Sequence, residues 1–269
     1  MISGKSKLIG NTGSSLGGAL VNFSLSNLGN ITVTEQSVIE NNTLTNGQTI
    51  GQTLAVFLSL ITGTLDDVTA QTQVQQGSGG VALVAKFPEI LAMAQQTQTA
   101  MNSLAPPTGQ TSWNGLIGGS AIASLLGAAI TVSKGSFVTN NTTYSIDPSQ
   151  PKTNSLGGIF AYLAPVTLNQ AYITRNKVGL SGGGVWAGNT AQIDQCAISG
   201  NEAGTNGGGM FLSDSANTAI LNSVIEHNKA QASGGGVFNN GRLTMVNTRI
   251  RHNQAELFHN VFSSTPILQ

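Results

Sequence analysis

Aliphatic residues recur along this chain at a fixed distance from asparagines. Ile173, Ile198, Ile225 and Ile250 each stand three positions before Asn176, Asn201, Asn228 and Asn253. Leu8, Ile39 and Val138 stand in the same relation to Asn11, Asn42 and Asn141. Five positions before each Asn is a short side chain: Ser6, Ser37, Ser136, Ala171, Cys196, Ser223 and Thr248. Eight before it, in the last four repeats, are Leu168, Ile193, Ile220 and Met245. Residues two apart share one face of a strand. The pattern therefore predicts short strands with one buried face, each ended by an Asn.

A Gly-Gly pair begins six residues after four of these asparagines, at Gly17-Gly18, Gly182-Gly183, Gly207-Gly208 and Gly234-Gly235. Glycine is 34 of 269 residues, so a pair at a given place arises by chance about once in sixty. Further pairs open at Gly79, Gly118 and Gly157, each 39 residues from the next. The last four asparagines are 25, 27 and 25 residues apart. Self-similarity at such a period marks a repeat architecture whose units bury their apolar faces only by stacking. The fold expected is all-β, with coils of short strands joined in parallel about 4.8 Å apart. Stacked coils set like residues on like. Asn11, Asn42, Asn141, Asn176, Asn201, Asn228 and Asn253 should then form a structural ladder of side-chain amides. Gly17, Gly18, Gly118, Gly157, Gly182, Gly207 and Gly234 should supply turns with positive φ.

The same columns set the domain organisation. Ile31 to Asn42 aligns without a gap on Ile130 to Asn141, 99 residues later. One domain over 1–269 is expected, with clear coils at 6–42 and 118–260. Residues 43–117 are either degenerate coils or an insertion. Eight or nine coils in all, about 40 Å of rod, follow if they are coils. Ile90, Met93, Thr97, Met101 and Leu104 recur at helical spacing behind Pro88, so a short helix within 85–104 is a rival reading there.

Composition narrows the function class. Net charge is zero and only 8% of residues are charged, which argues against nucleic acid as a partner. The apolar share is 39%, so the chain has enough core-forming residues to fold. Leu54 to Ile61 is the longest apolar stretch and is too short to span a bilayer. The start, Met1 to Lys5, lacks the pattern of a signal peptide, so a surface protein would be present here as a processed piece. One cysteine gives no internal disulfide.

Strand–Asn–turn–Gly-Gly repeats of about 25 residues resemble the right-handed parallel β-helix. The likeness is to surface-exposed bacterial proteins: autotransporter passengers, polymorphic outer-membrane-type proteins and filamentous-haemagglutinin-like adhesins. It covers 166–260 well, and 6–42 and 118–165 less closely. The Phe-x-x-Asn companion motif of the polymorphic group does not recur regularly here. The resemblance implies an extracellular or cell-surface setting. The expected partners are the chain itself, end-to-end or laterally, or a host-surface protein or glycan. The N-terminal coil has no evident capping helix, which points to continuation or self-association at that end.

Lyases and hydrolases also occur on this fold, and the resemblance implies clustered Asp with Ca²⁺ and an Arg base for the lyases. Glycoside hydrolysis needs two carboxyls within about 5–10 Å. Asp194, Glu202, Asp214, Glu226 and Glu256 fall in different columns. No catalytic residue, cofactor or metal is therefore expected, and a carbohydrate-active enzyme is the alternative to a structural or adhesive rod. His227 and His252 share a column with Arg175 and have no third ligand in register. Lys177, Glu202, Lys229 and Gln254 form a column of alternating charge. Cys196 lies in the small inward column. No recurring Thr column is evident, which counts against a binder of ordered surfaces. Trp186, Phe211 and Phe238 stand four residues after the first Gly of their phrases. If Val185, Met210 and Val237 face inward, these rings form an outward row, a contact strip for glycan, protein or another subunit.

Overall fold

A computed structural model describes residues 1–13, 18–22, 30–45, 117–125, 127–144 and 155–268. One coil shows the plan. Val166–Asn169 lies in a first sheet, Tyr172–Thr174 in a second, Lys177–Val178 in a third and Val185–Ala187 in a fourth; Thr190–Asp194 then starts the next coil in the first sheet. Each sheet pairs a strand with its counterpart one coil away, always in parallel. Among the described residues the first, second and fourth sheets have seven strands and the third has six. The chain is an all-β right-handed parallel β-helix. Seven coils make a rod about 29 Å long, at about 4.8 Å per step.

The inward columns are those read from the repeats. Ile39, Val138, Ile173, Ile198, Ile225 and Ile250 stack in one register. Val33, Val132, Leu168, Ile193, Ile220 and Met245 stack in another. Most are fully buried in one continuous core. Each such side chain contributes about 1.5–3 kcal/mol of burial, which offsets the entropy of ordering so many short strands.

Turns between sheets use left-handed backbone at non-glycine positions. The residue just before the ladder Asn has φ of 54° at Asn41 and Asn140, 53° at Arg175, 56° at His227 and 55° at His252. Gln170, Gln195, Asn222 and Asn247 do the same between the first and second sheets, at φ 48–53°. Strand pairing on both sides of each turn holds these residues there.

Among the described residues seven coils are stacked; the further coils expected within 43–117 fall on residues outside those described. Val38–Glu40 pairs directly with Phe137–Thr139, and Thr43–Thr45 with Thr142–Tyr144. No coil stands between these strands, and residues 46–116 lie outside the described residues. The gapless alignment of Ile31–Asn42 with Ile130–Asn141 thus marks two adjacent coils. The Gly79-Gly80 pair and the rival helix within 85–104 lie outside the described residues.

Candidate contact surface

The Asn column is a chain of shared amides. Asn228 Oδ1 accepts both the backbone N–H of Asn201 at 3.0 Å and its Nδ2 at 2.9 Å. Asn201 Nδ2 also donates to the Ile173 carbonyl at 2.9 Å. The same three bonds recur at Asn42, Asn141, Asn176 and Asn228. Asn11 joins through Asn42 Oδ1. At the far end Asn253 Nδ2 reaches Asn260 Oδ1 at 3.2 Å, so Asn260 closes the ladder. These amides bind each other and the backbone, which uses them structurally.

The glycines serve the same ladder. Gly157, Gly182, Gly207 and Gly234 take positive φ. Gly118 does not: it pairs with Leu156 in a short strand, and the left-handed position falls on Gly119 at φ 72°. The assignment of Gly118 as a turn glycine is therefore one residue out of register. Its missing side chain leaves room for Phe160, whose Cδ1 would lie 2.6 Å from a Cβ. Gly18 lies against the Ser120 carbonyl, and Gly17 is outside the described residues. The third glycine of the phrase has its own role. A Cβ at Gly209 would stand 3.0 Å from Asn228 Nδ2, and one at Gly184 3.0 Å from Asn201 Nδ2. Ladder and glycines recur together because the amides pack directly on the glycine backbone.

The aromatic row is longer than three rings and is not an exposed strip. Phe160, Trp186, Phe211, Phe238 and Phe262 follow one another at centroid separations of 5.1, 5.9, 5.2 and 4.5 Å. Val185, Met210 and Val237 face the core, so the rings lie on the outer side of the fourth sheet. Trp186 is nevertheless only 1% exposed and Phe211 6%, with Phe238 half-buried. Tyr162 stacks on Trp186 at 6.1 Å, and the ring sits 2.8 Å from where a Cβ of Gly188 would be. The row is a second apolar layer outside the central core, so it cannot serve as an open contact strip over Trp186 and Phe211.

The exposed rings are elsewhere. On the outer face of the second sheet, Phe137 and Tyr172 pair in register and stack at 4.6 Å with 12° between their planes. They are 37% and 42% exposed. Thr139 and Thr174 join hydroxyls beside them at 2.8 Å, and Asn140 donates to Glu40 at 3.1 Å. Both stand four residues before a ladder Asn, but the column is aromatic on only these two coils and continues as Ala197 and Val224, so no recurring aromatic pattern marks it. Two short Thr columns are also present, each confined to three neighbouring coils. Thr32, Thr131 and Thr167 are adjacent on the first sheet, and Thr12, Thr43 and Thr142 on the third.

The ionisable groups pair between neighbouring coils. Lys177 meets Glu202 at 3.0 Å, Arg251 meets Glu226 at 2.9 Å and Lys134 meets Glu35 at 3.8 Å. All are at the surface, where such pairs contribute a few tenths of a kcal/mol and favour register. Asp194 accepts from Asn222 at 2.9 Å. Exposed His227 and His252 stack at 5.3 Å. Among the described residues no three His, Cys, Asp or Glu gather as metal ligands. Cys196 is buried, and burial pushes its thiol up to about 11. Among the described residues no helix is long and apolar enough to cross a membrane.

Comparison with curated proteins and with solved structures returns no match. The family model described as "Right handed beta helix region" matches residues 110–268, more than half of the chain. With the stacked parallel coils, that match places the chain in the right-handed β-helix family.

Proposed function

We propose that this protein is a non-enzymatic extracellular β-helix, a rigid rod that holds an adhesive face at a cell surface. The observation that carries the reading is the exposed Phe137–Tyr172 stack, displayed on a scaffold whose conserving bonds lie inside. Two water-facing rings held face to face on a flat sheet favour contact with a partner. The disposition of the carboxylates supports a non-catalytic role. Glu35, Glu202 and Glu226 are paired with cations, and Glu40 and Asp194 with amides. The partner is a host-surface glycan or protein, or a second copy of the chain.

Adhesion and localisation test this together. Antibody should label the protein on intact, unpermeabilised cells. The purified chain should retain cells or extracellular matrix in a flow assay, and Phe137→Ala with Tyr172→Ala should release them. Cytoplasmic labelling, or retention unchanged by the double variant, sinks the proposal. Depolymerisation of a polysaccharide by the purified chain would replace it with a carbohydrate-active enzyme.

A further inference from the structure

The outer face of the second sheet is interrupted beside the exposed rings. In register with Tyr172 stand Ala197 on the next coil and Val224 on the one after. In register with Thr174 stand Ser199 and Glu226. The positions that follow are Arg175, Gly200 and His227. On this face the middle coil therefore presents only Ala197, Ser199 and Gly200 outward, between two coils with larger side chains. This makes a notch with Tyr172, Thr174 and Arg175 as one wall and Val224 and Glu226 as the other. Phe137 covers one face of the Tyr172 ring. The opposite face points along the stack towards Ala197, whose methyl group leaves it open.

The dimensions suit one saturated ring. Two coil steps separate the walls by about 9.6 Å. A ring in contact with Tyr172 sits about 4 Å above it, level with Ala197, and leaves about 5 Å to the Val224 coil. The rim is polar on both sides. The stem of Arg175 lies beside Gly200, its Cγ 3.4 Å from where a Gly200 Cβ would be, and the residue has no ion-pair partner among the described residues. Across from it Glu226 is held in place by Arg251. Ser199 offers a hydroxyl from the floor.

We propose that this notch is a subsite for a neutral pyranose, one residue of a glycan, stacked on Tyr172. A pyranose has a face of C–H groups that packs on an aromatic ring and an edge of hydroxyls that need donors and acceptors. Arg175 donates, Glu226 accepts, and Ser199 does either. An apolar or aromatic side chain of a protein partner would fill the same slot but leave those polar groups desolvated and unpaired. The facing cation and anion also match a neutral ring better than an anionic one. The assignment rests on the adhesive reading above and specifies its ligand.

Saturation-transfer NMR with cellotriose on the intact chain tests it. Transfer to one sugar ring is expected, with shifts in the Tyr172 ring signals. Tyr172→Ala should cut the transfer at least about tenfold. Ala197→Leu, which fills the notch from an outward position, should do the same while leaving the far-UV spectrum and the melting temperature in place. No transfer from cellotriose, or transfer that survives both substitutions, overturns the subsite. Cells that are retained through Phe137 and Tyr172 without any transfer would mean a protein partner: the sugar assignment fails and the adhesive reading stands. Cleavage of cellotriose with transfer at Tyr172 would keep the subsite and end the non-enzymatic reading.

Discussion

Asn201 and Asn228 share one oxygen: Asn228 Oδ1 accepts both the backbone N–H and the side-chain Nδ2 of Asn201. Each internal rung therefore has two acceptor and two donor positions filled, with no water needed. Asn201→Ala leaves the Asn176 backbone N–H and one Nδ2 hydrogen without an acceptor and removes one of the two donors to Asn228 Oδ1, and should cost about 2–4 kcal/mol. Asn201→Asp is the sharper test. The new carboxylate keeps the shape but turns a donor into an acceptor facing the Ile173 carbonyl. Its folded-state pKa must rise, so the variant is most stable below the unfolded pKa and loses stability as pH rises through the folded one. Denaturant midpoints at pH 4 and pH 7 check this. A variant that is as stable at pH 7 as at pH 4, relative to the parent, contradicts it.

Gly209 is tied to the next rung. A Cβ there would stand 2.6 Å from the Gly236 carbonyl oxygen and 3.0 Å from Asn228 Nδ2. Neither atom is the free end of a flexible side chain. Gly209→Ala should cost 2 kcal/mol or more, by order of magnitude, and should weaken protection of the Asn228 side-chain amide in hydrogen exchange. Wild-type stability in this variant would show that the coils separate more easily than the ladder implies.

The stack itself was legible because it is local and periodic. The aliphatic, small and Asn columns need only offsets within a repeat, and pairing brings Ile173, Ile198 and Ile225 together as read. Part of what was not legible depends on distances between coils of unequal length. Gly118 was misaligned by one residue because the coil from Asn141 to Gly157 is longer than its successors. Phe160 and Phe262 were missed as ends of the aromatic column for the same reason, whereas Phe137 and Tyr172 share one offset from their ladder Asn and went unread because the column turns to Ala197 and Val224 on the next coils. The orientation of Trp186 followed from its neighbours, but its burial did not, since strand alternation sets the side a residue faces and not what packs over that side. Left-handed backbone at Arg175, His227 and His252 left no trace, because nothing about those residue types demands it.

The two aromatic groups should therefore separate by stability. Trp186 is buried between Phe160 and Phe211, and Trp186→Ala opens a large cavity at a cost of about 3–5 kcal/mol. Tyr172→Ala removes an exposed ring and should cost under about 1 kcal/mol. Chemical denaturation of the two variants side by side is the measurement. A similar cost for both would mean that the second sheet's outer face is covered as the fourth sheet's is.

Cys196 reports on the core near the first turn of its coil. Burial raises its thiol from an ordinary 9.0 to about 11. The folded pKa is above the unfolded one, so the neutral thiol's contribution is complete below about pH 9 and is lost as pH rises from 9 to 11. Denaturant midpoints for the parent should fall across that window relative to Cys196→Ala, which has nothing to ionise. At pH 8 a thiol reagent should modify the folded chain only at the rate of unfolding. Rapid modification of the native protein would place the sulfur at the surface.

His227 turns the chain into the ladder with φ of 56°. Such backbone is tolerated by His, Asn and Gly but is strained for a β-branched residue, whose Cβ substituents meet the flanking peptide groups. Lys229, two residues on, is in extended backbone and points to solvent from a strand paired with Glu202. The same substitution therefore has opposite consequences at the two sites. His227→Val should cost about 1–2 kcal/mol, and Lys229→Val should stay within about 0.5 kcal/mol of the parent. His227→Gly, which relieves the conformation without adding contacts, should be close to neutral. If His227→Val melts with the parent, the turn is not held in the left-handed region, and the amide of Asn228 is not placed for the ladder by backbone geometry.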